Sequence, residues 1–101
     1  MDELNELLQK IKLNPKQFLE RQSVELLSAF LDGYLYHSQN AEAIKHLNDF
    51  SSYLRKKNKL STSHGWASII QFFHASEKPA FEWFFKEYEW FNEDKNKPTR
   101  K

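Results

Sequence analysis

The clearest hydrophobic pattern along the chain lies in residues 76–92, SEKPAFEWFFKEYEWFN. At about 3.6 residues per turn, a helix over this stretch carries five aromatic residues on one stripe. They are Phe81, Phe84, Phe85, Tyr88 and Phe91. Trp83 and Trp90, which are seven residues apart, fall on the opposite side. The pattern predicts a long helix whose phenyl stripe forms the core and whose two tryptophans point away from that core.

Four earlier stretches repeat the helical spacing of apolar residues. The first runs from a cap at Asp2 to about Leu13, and the second from Val24 to about His37. The third runs from a cap at Asn40 to about Lys57, and the short fourth contains Trp66, Ile69, Ile70 and Phe73. The first must end at Asn14, because the residue before a proline avoids helical geometry. Ser23, Asn40 and Ser63 precede the other three helices and are residue types that cap helix N-termini. The short connections between the helices favour antiparallel neighbours.

The same periodicity assigns an inner face to each helix. The inner residues of the middle three helices are Val24, Leu27, Phe30, Leu31, Tyr34, Ala43, Ile44, Leu47, Phe50, Leu54, Trp66, Ile69, Ile70 and Phe73. Phe18 and Leu19 are expected to close one end of the core from an irregular connection. Gly33 costs about 1 kcal/mol relative to alanine within a helix, so we interpret it as allowing a close helix crossing.

These patterns predict an all-α fold, a single-domain bundle of about five helices with an aromatic-rich core. A chain of 101 residues suits one core. Two glycines and three prolines, with few β-branched residues, disfavour a sheet, and an aromatic content of 16% argues against disorder. The helical domain is expected to cover residues 1–92, and residues 93–101 are expected to form a charged, flexible tail.

Charge and composition exclude several classes of function. Fifteen basic residues balance fourteen acidic residues, so no overall field attracts nucleic acid or an acidic membrane. No apolar run reaches the roughly 18 residues of a membrane span, and the start of the chain lacks the apolar segment of a signal peptide. The absence of cysteine excludes disulfides and thiolate metal sites, and it suits a reducing cytoplasm.

Catalytic and metal-binding patterns are missing as well. No pair among the four histidines has the i, i+4 spacing of a zinc site, and we expect most of them in loops or at the surface. The chain contains neither a glycine-rich phosphate loop nor a nucleophile elbow. We therefore expect no catalytic residue, no metal and no cofactor, and we do not expect an enzyme.

Two blocks of residues carry a family resemblance. The first contains Asn14, Pro15, Phe18, Leu19, Ser23, Leu26, Phe30, Leu31, Gly33 and Tyr34, and the second contains Trp66, Ile70, Ala80, Phe81, Phe84, Phe85 and Phe91. Together they resemble a group of short bacterial helical proteins, many uncharacterised and some of them immunity proteins of toxin–immunity or contact-dependent inhibition systems. The group's pattern is proline, Tyr-Leu-Gly, Ser, Leu, aromatic and Gly-Tyr, followed by Trp and Ala-Phe-x-x-Phe-Phe. This chain departs from it where Phe18-Leu19-Glu20 replaces Tyr-Leu-Gly.

The resemblance implies a cytoplasmic protein that neutralises a cognate toxin domain, in some systems a nuclease, by direct occlusion. The candidate contacts are aromatic residues that could anchor the interface and acidic residues that could pair with a basic toxin surface. They are Glu25, Asp32 and Tyr36 on the second predicted helix, and Glu82, Trp83, Glu89 and Trp90 on the fifth. We expect Glu87 to flank the exposed tryptophans together with Glu82 and Glu89.

Plainer interpretations of the same residues stay open. A neighbouring helix, such as the first one, can cover the two tryptophans, because a helix that is apolar all round is normally buried. The tryptophans can also make a homodimer, which would indicate a small self-associating adaptor or regulator. The acidic stripe on the second predicted helix can be an ordinary solvated face. The basic run Arg55, Lys56, Lys57 and Lys59 could contact nucleic acid, but with fourteen acidic residues in the chain we do not expect such a module.

Overall fold

The computed structural model describes residues 2–96, with side chains from Glu3 to Asp94. The described chain forms six α-helices and contains no strand. They are α1 (Asp2–Leu13), α2 (Pro15–Phe18), α3 (Val24–Ser38), α4 (Ala41–Lys57), α5 (Trp66–Phe73) and α6 (Glu77–Asn96). The predicted all-α, single-domain fold is confirmed, with the single-turn α2 added to the five expected helices. Among the described helices, none combines the length and apolar composition needed to cross a membrane.

Side chains cap the N-termini of α3 and α4 as the sequence predicts. The N-terminus of α5 is held by a different hydrogen bond. Oγ of Ser23 accepts a hydrogen bond from the backbone N–H of Leu26 at 3.2 Å, and Asn40 caps α4 in the same way. The predicted cap at Ser63 is wrong. The backbone N–H of Trp66 instead donates to Oγ of Ser51 at 2.9 Å. A hydroxyl from α4 therefore satisfies the first backbone N–H of α5 in place of a local side-chain cap.

The aromatic stripe of α6 forms the centre of the core, as predicted. All five of its aromatic residues are buried. Phe50 of α4 is fully buried beside them, with ring centroids 5.7 Å from Phe84, 5.4 Å from Tyr88 and 6.2 Å from Trp66. Helices α4, α5 and α6 consequently share one aromatic cluster, and α1 and α3 add mainly leucines to it.

Several residues predicted to be inside lie elsewhere. Ile44 is exposed on α4, and Phe73 is exposed at the last residue of α5. Leu35 is buried on α3, whereas Tyr34 is half-buried. Gly33 does not mark a helix crossing, because a Cβ atom built there meets no atom within 4 Å.

One histidine lies in the core, although the sequence favours loops and surfaces for these residues. His46 is buried on α4, with its ring 5.6 Å from Tyr88 and 4.9 Å from Phe91. Its Nε2 atom lies 2.9 Å from Oδ1 of Asn92, which satisfies the polar edge of the ring inside the protein. This hydrogen bond ties the middle of α4 to the last turns of α6.

The connection after α1 and the C-terminal part of α6 complete the bundle. Leu19 is buried after the turn of α2, and Phe18 packs edge to face on Phe30, so this connection closes one end of the core as expected. At the other end, α6 extends to Asn96, which is four residues past the predicted limit of the helical domain. The remainder of the predicted tail, residues 97–101, lies outside the described residues.

Candidate protein-binding surface

The two tryptophans of α6 form a contacting pair on the side of that helix opposite its core stripe. Trp90 is 43% exposed and Trp83 is half-buried. Their ring centroids are 5.9 Å apart with an interplanar angle of 86°, which is the favoured edge-to-face arrangement. The first helix does not seal them in the protein. Trp83 therefore supports a Trp90 ring that remains accessible to a partner.

An ion pair holds a cation over the exposed indole. Nζ of Lys57 lies 3.0 Å from a carboxylate oxygen of Glu87 and 4.5 Å from the ring centroid of Trp90. Burial lowers the pKa of Lys57, but the hydrogen bond and charge of Glu87, with a smaller contribution from Tyr53, raise this pKa above its ordinary value overall. The lysine therefore stays charged and can make a cation–π contact with the indole.

The side chain of Glu87 is buried, which contradicts the exposure expected from the sequence. The sequence places it among exposed acids that flank the tryptophans, yet its side chain is only 6% exposed. Its position lies between the core stripe and the tryptophan side of α6, where the end of α4 covers it. A buried carboxylate is costly unless it is paired, and Lys57 supplies the partner from α4. Glu87 thus positions Lys57 and is not itself accessible.

The end of α5 extends the aromatic surface. The imidazole of His74 lies 5.0 Å from the ring of Trp83, and Phe73 is 48% exposed beside it. Phe73, His74 and Trp83 line one groove of about 350 Å³ together with Lys57 and Glu87. We call the surface formed by Phe73, His74, Trp83 and Trp90 the tryptophan face.

The other candidate contacts on α6 lie beside the tryptophan face and carry ion pairs. Glu82 is exposed and pairs with Lys78 one turn earlier, at 3.5 Å. Glu89 is half-exposed and pairs with Lys12 of α1. Each acid keeps an accessible edge for a partner, although exposed pairs of this type contribute little stability.

The acidic stripe on α3 is exposed as predicted. Glu25, Asp32 and Tyr36 all face solvent, and Tyr36 is 83% exposed. The stripe lies on the side of α3 that faces away from the core. The structure therefore brings Trp83 and Trp90 into contact on α6, while the acidic stripe occupies the exposed side of α3.

Two exposed aromatic residues on α5 were not among the sequence candidates. Phe72 is 77% exposed, and its ring packs edge to face on that of Phe73 at 5.1 Å. The sequence contained a signal for Phe72, because this residue falls off the inner stripe of α5. It contained no such signal for Phe73, whose exposure depends on where α5 ends.

The polar side chains bear on two further features of the molecule, metal binding and buried hydrogen bonding. Between residues 3 and 94, no three His, Asp or Glu side chains gather as ligands for a metal ion. No buried side-chain nitrogen or oxygen in this part of the chain lacks a hydrogen-bond partner. Comparison of the chain with protein-family models, with curated proteins and with solved structures finds no match.

Proposed function

We propose that this chain is a binding protein of the immunity type, which neutralises a cognate toxin domain by occluding it. The observation that supports this most is the tryptophan face, where Trp83 braces an accessible Trp90 under the ammonium group of Lys57. Tryptophans are frequent anchors of protein interfaces, because an indole ring buries a large area at low cost in conformational entropy. The family resemblance over residues 15–91 suggests that the partner is a toxin.

Preorganisation of the tryptophan face supports the proposal as well. Trp83 is fixed between His74 and Trp90, and the ion pair with Glu87 fixes Lys57. Little side-chain entropy remains to be lost when a partner binds, so more of the contact energy appears as affinity. Such a surface inhibits by covering the partner and requires no cofactor.

Two experiments test the proposal, a growth-rescue assay and a measurement of the molar mass of the complex. A toxin domain encoded beside the gene for this chain should arrest growth when it is expressed alone, and co-expression of the chain should restore growth. Size-exclusion chromatography with light scattering should show a monomer that becomes a 1:1 complex with that domain. A stable homodimer without affinity for the domain would instead support the self-associating adaptor, which the same exposed tryptophans favour.

The variant Trp90→Ala tests the binding surface. We expect its dissociation constant for the toxin domain to rise about 10- to 100-fold, which corresponds to the roughly 2 kcal/mol of an anchor residue. Leu13→Ala is the matched control, because Leu13 is 75% exposed on α1 and its truncation should change the constant less than about twofold.

A second comparison separates the two candidate surfaces. If Tyr36→Ala weakens binding strongly while Trp90→Ala does not, the partner docks on the α3 stripe and the assignment to the tryptophan face is wrong. Both side chains are exposed, so neither truncation should unfold the protein. Circular dichroism of each variant checks that the helical fold is retained.

A further inference from the structure

A second groove lies on the other side of α5. The loop at 58–65 and α5 enclose about 520 Å³, with Leu60, Ile69 and Phe72 as the apolar part of the lining. Phe72 lines this groove and Phe73 lines the groove of the tryptophan face, while Ile69 lines both, so the two grooves adjoin along α5. We call the second one the loop groove. Its size is within the range of about 300–1,000 Å³ that is typical of binding sites.

A concentration of positive charge borders the loop groove. The groove shares Leu60 and Thr62 with a neighbouring hollow, which Arg55, Lys56 and Lys59 line. Of the described residues that line the groove and the hollow, none is acidic. The net charge of the chain is only +1, so this basic rim is a local feature and does not reflect a general excess of cations.

Hydrogen bonds preform the loop groove. The Arg55 guanidinium donates to the backbone oxygen of His64 at 2.8 Å, and the backbone N–H of Leu60 donates to the Arg55 oxygen at 2.8 Å. At the end of the loop, the bond from Trp66 to Ser51 holds the start of α5. The loop is therefore tied to α4 at several points, so less conformational freedom remains to be lost when a ligand binds.

We propose that the loop groove binds an acidic segment of a partner protein, which inserts one bulky apolar side chain against Phe72 and places carboxylates on the basic rim. Charge complementarity selects the acidic segment, because carboxylates satisfy Arg55, Lys56 and Lys59 while the apolar lining takes the anchor. The proposal goes beyond toxin binding, since the loop groove adjoins the tryptophan face but contains neither tryptophan and requires no toxin.

A nucleic-acid strand is the competing occupant, because cations and an exposed aromatic ring also suit phosphates and bases. The structure favours the peptide on two grounds. The cations border one groove only and do not form the extended basic track that follows a nucleic-acid backbone. The groove also offers aliphatic side chains of Leu60 and Ile69 beside Phe72, which favour an apolar side chain over a stacked base.

Peptide display on the full chain tests the proposal. A random 16-residue library panned against the wild type should enrich sequences that combine several Asp or Glu residues with a Leu, Phe or Trp. The enrichment should disappear with Phe72→Ser, which removes an exposed ring and should leave the fold intact. The double variant Lys56→Glu, Lys59→Glu should instead enrich basic sequences, because it reverses the charge of the rim.

Affinities of the leading peptide complete the test. Its dissociation constant, from fluorescence polarisation, should rise at least about tenfold with Phe72→Ser and also rise with added salt. Trp90→Ala should change it less than twofold, so a failure here and a failure of the toxin-binding proposal are distinguishable. The proposal is overturned if no acidic apolar sequence is enriched, if binding survives Phe72→Ser, if it depends on Trp90, or if oligothymidylate binds more tightly and displaces the peptide.

Discussion

The hydroxyl group of Tyr88 lies inside the bundle and donates a hydrogen bond to Oδ1 of Asn5 at 2.7 Å. Burial raises the pKa of Tyr88 to about 12, against a smaller lowering effect of a hydrogen bond with Asn92. The raised pKa means that the folded protein disfavours the phenolate, because a charged oxygen would lose its hydration in the aromatic core. Folding and ionisation of this one group are therefore linked.

This linkage predicts a loss of stability at alkaline pH. The pKa in the folded state is higher than the ordinary value of 10, so the contribution of Tyr88 is complete below pH 10 and falls as the pH rises from 10 to 12. Two pKa units correspond to a loss of about 2–3 kcal/mol. Tyr88→Phe should be less stable than the wild type at pH 8 by about 1 kcal/mol, because Asn5 loses its partner, and more stable near pH 12.

Urea unfolding at pH 8, 10 and 11.5 measures this crossing. Tyr36→Phe is the matched control, since it makes the same chemical change at a side chain that is 83% exposed. Its stability should follow that of the wild type at every pH. Parallel curves for the wild type and Tyr88→Phe would contradict the assigned pKa.

The effect of a glycine on helix stability depends on its position, as Gly33 within α3 and Gly65 at the N-cap of α5 illustrate. Gly33 lies in the interior of α3, exposed and without an atom near its Cβ position, so it weakens the helix without serving a contact. Gly65 is the N-cap of α5 and has an extended backbone, with φ at −82° and ψ at 179°. Glycine is tolerated at an N-cap much better than alanine.

Replacing each glycine by alanine should therefore have opposite effects. Gly33→Ala should raise the free energy of unfolding by about 0.5–1 kcal/mol, because alanine restricts the unfolded chain and favours the helix. Gly65→Ala should lower it by about 0.5 kcal/mol, although its new Cβ would lie 3.9 Å from Oγ of Ser51 without a clash. Thermal unfolding followed by circular dichroism measures both. A destabilised Gly33→Ala variant would mean that the helix needs the glycine after all.

For the bundle as a unit, the fully buried ring of Phe50 packs against aromatic rings of several helices. Its ring contacts aromatic rings of α5 and α6 as well as Tyr53 of its own helix. Rings from three helices meet there, and the edge-to-face arrangement with Phe84 has an interplanar angle of 90°. The cluster therefore joins α4, α5 and α6 into one cooperative unit.

Truncation at this position should affect the entire fold. Phe50→Leu should destabilise the protein by about 1–2 kcal/mol, which is less than the roughly 3–5 kcal/mol of a complete truncation to alanine. Phe72→Leu makes the same change at an exposed ring and should stay within about 0.5 kcal/mol of the wild type. Urea unfolding should show one transition for both variants. If the two changes had equal effects, the central role of Phe50 would be wrong.

Helix spacing was sufficient to predict the number of long helices and the buried stripe of α6. Local residue types added the approximate bounds of α1 and α4 and the caps at Ser23 and Asn40. These features depend on neighbours one turn apart in the chain, and such neighbours are visible in a sequence. The outward direction of the two tryptophans follows from the same geometry, since their positions lie opposite that stripe.

The burial of an inward or outward side chain depends on the packing of the helices in the tertiary structure. Trp83 is half-buried because the end of α5 brings His74 onto it, and Glu87 is buried because α4 ends with Lys57 over it. Phe73 was expected to face inward, yet it is exposed at the last residue of α5. Periodicity within one helix reports the direction of a side chain. Its burial, its charge partner and the grooves beside it depend on where other helices begin and end.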